Sequence, residues 1–368
     1  MSPTGNVVTP EGIVRGEVLL DGERIVGVQA DATVVGDTYI VPGFVDIHCH
    51  GGDGASYTVG DAEQAIVAAE FHLRHGTTTT LASLVSSPKH LMVRAVEAFR
   101  PLVEDGILGG IHFEGPYLAS SRCGAQNPAF LRDPDLGELA ELIDAGAGAV
   151  KMMTIAPERP GAAEAIAYLA SRGVIASIGH TDASYETAKD GVAAGATAAT
   201  HVFNGMRPVG HRDPGPVVAV MDSPSVVCEF IVDPVHLHMG TVSFAVNAIG
   251  ADRIAAITDA MSATGMPEGE YELGGLQVKV ADGAARLVEG GSIAGSTITM
   301  IDAFRNAVHG AGVSVEDAVK MTSSTPARLL GLSDVGGLAH GLRADLLELD
   351  ADLNLRGVMR AGVWVHRA

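Results

Sequence analysis

Two histidines spaced two apart, His48 and His50, close a short apolar run, Phe44-Val45-Asp46-Ile47, just before Gly51-Gly52. Residues i and i+2 of a strand point the same way, so this spacing sets two imidazoles side by side where the chain leaves the strand. Neutral imidazoles are ligands for transition metals. An isolated pair of this kind is more often two surface histidines. The balance shifts because further candidates stand at the ends of later β-prone runs: His112 with Glu114, His180, His201, Asp233 with His236, and Asp259. A strand-end Asp alone would be read as a helix cap, and a strand-end His as a hydrogen-bonded turn residue. Six such ends together predict a centre with nitrogen and carboxylate ligands, of the kind Zn²⁺ or Fe²⁺ accepts.

A catalytic centre of that type needs about three protein ligands and one open position. It brings the pKa of the water it holds down toward ~7. His48 and His50 supply enough extra ligands for two metals, with Glu114 as the carboxylate to bridge them. Asp259 is the natural proton shuttle, able to take a proton from attacking water and return it to a leaving amine. The chemistry predicted is hydrolysis of an amide or a related C–N bond.

These residues must be brought together by the elements that carry them. From residue 43 onward β-prone runs alternate with helical ones: strands at 43–48, 77–85, 107–113, 149–155, 174–178, 197–203, 226–232 and 253–258, and helices at 61–75, 88–104, 135–145, 160–172 and 184–194. Eight strands alternating with helices predict an α/β fold of the closed (β/α)8 TIM-like barrel type, in which strand C-termini meet around one mouth. A doubly wound open sheet is the alternative, but no GxGxxG follows any strand. Residues 271–287 alternate as a hairpin about Asp282-Gly283, and helices are predicted at 297–312, 314–323 and 325–331. Both chain ends are β-prone without helical period. Residues 1–41 and 340–368 are therefore expected to pair into a small β-sandwich domain, leaving 42–339 as the metal-dependent catalytic barrel.

Composition bounds the function classes. The chain has 368 residues, 47% of them hydrophobic, enough for one large domain with an appendage. The charge, 24 − 44 = −20, excludes a nucleic-acid or anionic-membrane partner, since no basic stripe offsets it. Three cysteines with no CxxC (Cys49, Cys123, Cys228) predict a reducing compartment rather than a disulfide framework. No leader pattern and no membrane span is visible, so the expected location is cytoplasmic. Cys123 falls in the loop after Glu114 and reads as an ordinary loop thiol.

The HxH after the first strand, the single histidines after the fifth and sixth, and the Asp after the eighth resemble the signature of the amidohydrolase superfamily. Within it, the chain is similar to the deacetylases of amino-sugar phosphates, through His112-Phe113-Glu114-Gly115-Pro116, Gly179-His180-Thr181-Asp182-Ala183, Thr200-His201-Val202-Phe203-Asn204-Gly205-Met206 and Ala294-Gly295-Ser296. Thr325-Pro326-Ala327-Arg328 and Gly341-Leu342-Arg343-Ala344-Asp345-Leu346 extend the likeness over nearly the whole chain. The resemblance implies removal of an acetyl group from a small amino-sugar phosphate, with a divalent metal, zinc or iron, one or two per subunit. It implies Glu114, His180 and His201 as ligands of one metal, with His48, His50 and Asp259 serving a second. Asp259 would be the catalytic acid/base, assisted by His180. Asn204, Gly205 and His236 would hold substrate, and Arg212 would reach the phosphate from the neighbouring subunit of a homodimer. The wider superfamily bridges its metals with a modified lysine after strand four. Lys151 lies inside that strand, so Glu114 is the expected bridge. Another amidohydrolase, acting on a cyclic amide or nucleobase, and a non-catalytic assembly protein on the same scaffold are the alternatives.

Overall fold

The computed structural model describes residues 2–367. Its centre is an eight-stranded, all-parallel sheet whose strands follow one another in chain order: β1 (Phe44–Asp46), β2 (Thr77–Val85), β3 (Gly110–Glu114), β4 (Val150–Ile155), β5 (Ile175–Ile178), β6 (Ala198–Ala199), β7 (Val227–Ile231) and β8 (Ile254–Ile257). The sheet closes between its outer members just past their ends. Cys49 and Ala260 form a parallel bridge, Asp259 N–H donates to the His48 carbonyl at 2.8 Å, and His50 N–H donates to that of Ala260 at 2.8 Å. The barrel is thus sealed by the same residues that carry the candidate ligands.

Each strand leads into a helix: α1 (Ala62–Arg74), α2 (Lys89–Glu104), α3 (Leu136–Gly146), α4 (Ala162–Ser171), α5 (Tyr185–Ala193), α6 (Gly215–Met221), α7 (Met239–Ile249) and α8 (Met300–Arg305). The local reasons are legible. The Asp61 side chain caps α1 by accepting from Gln64 N–H, and Ala65, Ala68, Ala69, Phe71 and His72 bury one face. Gly76 follows with φ +96°, where a Cβ would press on Phe44 and Leu347. Asp135 and Ser184 cap α3 and α5 in the same way. β2 is buried over all nine residues, four of them threonine, as a parallel strand covered on both faces must be. The Arg253 guanidinium ties β8 to the end of α6, donating to the carbonyls of Met221, Val220, Ser223 and Val226.

The terminal strands pair into the expected small β domain, as one mixed seven-stranded sheet. Its edge-to-edge order is Val363–Arg367, Leu355–Arg360, Leu346–Leu349, Tyr39–Pro42, Thr4–Thr9, Gly12–Asp21, Arg24–Ala30. The sheet curls over a core of Val7, Val18, Ile25, Ile40, Leu346 and Met359, and its last strand meets the middle again where Ile25 N–H donates to Leu342 O.

Four expectations change. β3 starts at Gly110, not 107, because Ile107 and Leu108 are spent on the turn leaving α2, both N–H groups donating to Leu102 O. β6 shrinks to two residues, since His201 (φ +28°) and Phe203 (φ +80°) turn left-handed at once. The hairpin after β8 gains a third strand: Gly269–Leu273, Leu276–Ala281 and Ala284–Leu287, joined at Gly274-Gly275 and Asp282-Gly283. Of the last helices, those beginning at Met300 and Val315 relax into π geometry over Asn306–Gly310 and Lys320–Ser324. Among the described residues no helix is long and apolar enough to cross a membrane.

Candidate metal centre and mouth

Six side chains from five strand ends converge, all of them buried. One group is His48, His50 and Asp259; the other is Glu114, His180 and His201. Within each, the ligand atoms lie within 4.8 Å of one another. Glu114 joins the groups. Its Oε1 is 2.8 Å from His180 Nε2 and 2.9 Å from His201 Nε2, and its Oε2 is 3.2 Å from His50 Nε2. Asp259 Oδ1 lies 3.2 Å from His50 Nε2 and 3.5 Å from His48 Nε2. Three of the six, His180 (φ +46°), His201 (φ +28°) and Asp259 (φ +49°), sit in the left-handed region that non-glycine residues seldom occupy. That conformation turns each side chain from strand end to centre within one residue, and such strain concentrates at working sites.

The donor chemistry fits a divalent metal. Every Nδ1 has an acceptor: Glu229 Oε2 for His48 (3.1 Å), Ser83 O for His50 (3.1 Å), Arg122 O for His180 (2.8 Å) and Asn204 O for His201 (3.1 Å). With Nδ1 carrying the hydrogen, all four Nε2 lone pairs face inward. His48 and His50 Nε2 are 3.2 Å apart, His180 and His201 Nε2 3.1 Å apart. Lone pairs that close repel unless a cation or protons sit among them.

Protons and metal compete for this site. Burial opposes charge on His50, but Asp259 and Glu114 outweigh it and raise its pKa to about 9. His48 and His180 are likewise held above the ordinary imidazole value against burial, His48 by Glu114 and Asp259, His180 by Glu114. Burial works against the carboxylate forms of Glu114 and Asp259 too, yet the facing histidines lower both. A chelator-stripped protein at pH 7 therefore carries protons on histidines that metal must displace. The sign follows. Raised histidine pKa values stabilise the stripped fold fully below pH ~6.5, and for His50 that contribution disappears as pH climbs through about 9. Metal uptake should release at least one proton at pH 7, and fewer as pH climbs through about 9 and His50 loses its proton. Calorimetric titration in two buffers of different ionisation enthalpy reads this directly; equal heats in both at pH 7 would contradict it.

Around the centre lies a cavity of about 270 Å³, lined among others by Asn204, Gly205, His236 and Leu273. Asn204 Nδ2 is buried without a partner, a donor left for something in the cavity. His236 is held at Nδ1 by Asp233 (2.9 Å). Arg212 is exposed in the loop after β6 and does not line the mouth of its own chain. Lys151 is the second residue of β4, at the end away from the mouth. Cys49 points away from its flanking histidines, 3.3 Å from His72 Nε2.

Several residues escape sequence reasoning. Gln126 donates to Glu114 Oε2 (2.6 Å) while its own oxygen accepts from Ser86 N–H, fixing the bridging carboxylate from a loop with no pattern to flag it. The carbonyls of Ser83, Arg122 and Asn204 are main-chain atoms and carry no side-chain signal. Glu229 had one, a charge inside the apolar run Val226–Val232. His112 is no ligand; its Nδ1 meets Ser83 Oγ (2.9 Å) and its Nε2 Thr154 Oγ1 (2.8 Å). It belongs to a buried line that continues from Thr154 to Thr200 and on to Ser177, each step 2.7 Å. Asp46 accepts from Thr258 Oγ1 at 2.6 Å across the seam. With Glu229, every barrel strand or its first following residue thus contributes one polar side chain of 0% exposure beneath the ligands.

Comparison with known proteins agrees with this geometry. A family model described as the amidohydrolase family matches residues 39–365, and the chain belongs to that family. Among its relatives, the N-acetylglucosamine-6-phosphate deacetylase of Lysinibacillus sphaericus is 37% identical over 88% of this chain and 84% of its own length. The N-acetylgalactosamine-6-phosphate deacetylase of Escherichia coli O157:H7 is 33% identical over 88% of this chain and 86% of its own. An aspartate-to-alanine mutant of the N-acetyl-D-glucosamine-6-phosphate deacetylase of Mycobacterium smegmatis, solved in complex with N-acetyl-D-glucosamine-6-phosphate, superposes with a TM-score of 0.96 at 43% identity. That likeness covers 99% of this chain and 98% of that one.

Proposed function

We propose that this chain hydrolyses the acetamide of N-acetylglucosamine 6-phosphate, giving glucosamine 6-phosphate and acetate in cytoplasmic amino-sugar catabolism. The observation that carries the reading is the likeness, over 99% of the chain, to a protein solved with that sugar phosphate bound. The family, the two ligand groups and the buried unpaired donor of Asn204 support it. A divalent metal, zinc or iron, supplies Lewis acidity and a water nucleophile at neutral pH. Glu114, His180 and His201 would hold one metal; His48, His50 and Asp259 a second, with Glu114 shared.

The chain's own residues do the rest. Asp259, whose carboxylate is kept ionised at neutral pH, accepts the proton of the attacking water and delivers it to the amine nitrogen as the C–N bond breaks. His180, pinned at Nδ1 by Arg122 O, would assist at the carbonyl oxygen only through the metal its Nε2 holds, since neither ring nitrogen keeps a free hydrogen. Asn204, Gly205 and His236 orient the sugar. Arg212, exposed on its own chain, offers the forked guanidinium that phosphate favours to the mouth of a second subunit in a homodimer. On this reading the barrel, 42–339, is the catalytic unit and the terminal sheet its support.

The galactosamine isomer is the second reading, favoured by the Escherichia coli relative. Acetate release should be compared for both N-acetylhexosamine 6-phosphates and for unphosphorylated N-acetylglucosamine, with metal counted on the same sample. Rapid turnover of N-acetylglucosamine 6-phosphate alone is the expected result. A preference for the galactosamine isomer moves the substrate assignment, and metal-loaded protein that cleaves neither sugar phosphate overturns it.

A further inference from the structure

Four histidines point Nε2 into the centre, yet their other nitrogens are not held alike. His50, His180 and His201 donate Nδ1–H to main-chain carbonyls, which no side-chain substitution removes. His48 alone depends on a side chain, Glu229, at 3.1 Å. The same Glu229 oxygen accepts the His201 backbone N–H at 3.3 Å, so one atom touches both ligand groups. The other oxygen, Oε1, is buried with no partner. Burying a carboxylate at 0% exposure inside Val226–Val232 is costly, and an apolar residue there would avoid that cost only by leaving the His48 Nδ1–H and the His201 N–H without an acceptor.

We propose that Glu229 is a positioning residue that keeps His48 in the Nδ1–H form, leaves its Nε2 free to ligate, and so controls occupancy of the His48/His50/Asp259 group. Without an acceptor at Nδ1, the hydrogen of neutral His48 is better placed on Nε2, where Glu114 Oε1 (3.6 Å) and Asp259 Oδ1 (3.5 Å) can receive it. A hydrogen on Nε2 blocks ligation. The Glu114/His180/His201 group keeps its tautomers, because the Nδ1 acceptors of His180 and His201 are main chain, and loses only the long 3.3 Å bond at the His201 N–H. The inference rests on the two-metal reading above.

The alternative, that Glu229 is merely a strut between strands, predicts lower stability without preference for either metal. The test is stepwise zinc binding by the full chain against a chromophoric chelator, with stoichiometry by mass spectrometry, for wild type, E229Q, E229D and E229L. We expect two metals in the wild type. E229Q keeps an acceptor oxygen in place and should retain both. E229D, too short to reach both donors, and E229L should weaken one of the two steps by about 10- to 100-fold and leave the other within a few-fold of wild type. E229D decides the matter should E229L fail to fold. Unchanged constants in E229D and E229L, or equal losses at both steps, overturn the Glu229 role while leaving two metals standing. A wild type that takes up a single metal overturns the two-metal reading and this inference with it.

Discussion

Asp259→Asn should lower kcat for deacetylation by about 10²- to 10⁴-fold, the range for removing a positioned general acid/base, with KM little changed. The backbone at this position is held independently of the carboxylate. Its N–H donates to His48 O (2.8 Å), its carbonyl accepts from Ser296 N–H (2.7 Å), and Gly295 beside it leaves no room for a Cβ, which would lie 2.8 Å from that carbonyl. The Asn side chain is therefore delivered to the same place, and the loss reports chemistry rather than position. Equal falls in kcat and kcat/KM identify an interaction made in the transition state. The Glu114/His180/His201 metal should remain, countable on the same sample. Activity within tenfold of wild type would remove Asp259 from proton transfer.

Glu114→Gln is expected to do more damage, through loss of metal. Glu114 is the residue whose two oxygens reach both groups, Oε1 the His180 and His201 nitrogens and Oε2 that of His50. Gln replaces one oxygen by a donor aimed at an imidazole lone pair and removes the shared charge. Both metals should fall well below stoichiometric amounts, and kcat/KM should drop by more than the roughly 100-fold upper end seen for partners outside the ligand set. His48→Asn is the contrast: it touches one group and should cost one metal. Metal content read together with activity separates the two, and an E114Q protein that still holds one full equivalent would show that the groups are independent.

How much of this was legible beforehand depends on which atoms do the work. The candidate ligands are side chains at strand ends, and strand periodicity with barrel closure forces such ends together, so the convergence of His48, His50, Glu114, His180, His201 and Asp259 was legible, while the family resemblance set them apart from His112, Asp233 and His236. β2 matches its expected limits, 77–85, because β-branched residues between Gly76 and the turn Ser86-Ser87-Pro88 leave little choice. β6 was misjudged because Val202 and Phe203 look like strand, whereas the turn at His201 is imposed by the site. The atoms that fix the tautomers are mostly carbonyls, identical in every residue and therefore silent. Gln126 reaches Glu114 through loop geometry that no local pattern encodes. Glu229 was visible as a charge among apolar neighbours, but only the structure shows what it faces. The extra hairpin strand and the curled single sheet at the termini depend on long-range pairing, which periodicity does not specify.

The ring of buried polar groups beneath the ligands also bears on the order of folding. Ser83, His112, Thr154, Thr200 and Ser177 bond to one another, each from a different strand, with Ser83 Oγ also accepting the Cys49 N–H, and Asp46 finds Thr258 only once the first and last strands meet. A partly assembled barrel therefore leaves several of these groups unpaired, at roughly 1–3 kcal/mol apiece. The His48/His50/Asp259 group cannot exist before that seam is closed, because its members come from its two sides. Metal uptake at this group is thus a reporter of the final closure step, and in a refolding reaction its kinetics should follow the slowest phase rather than the appearance of helix.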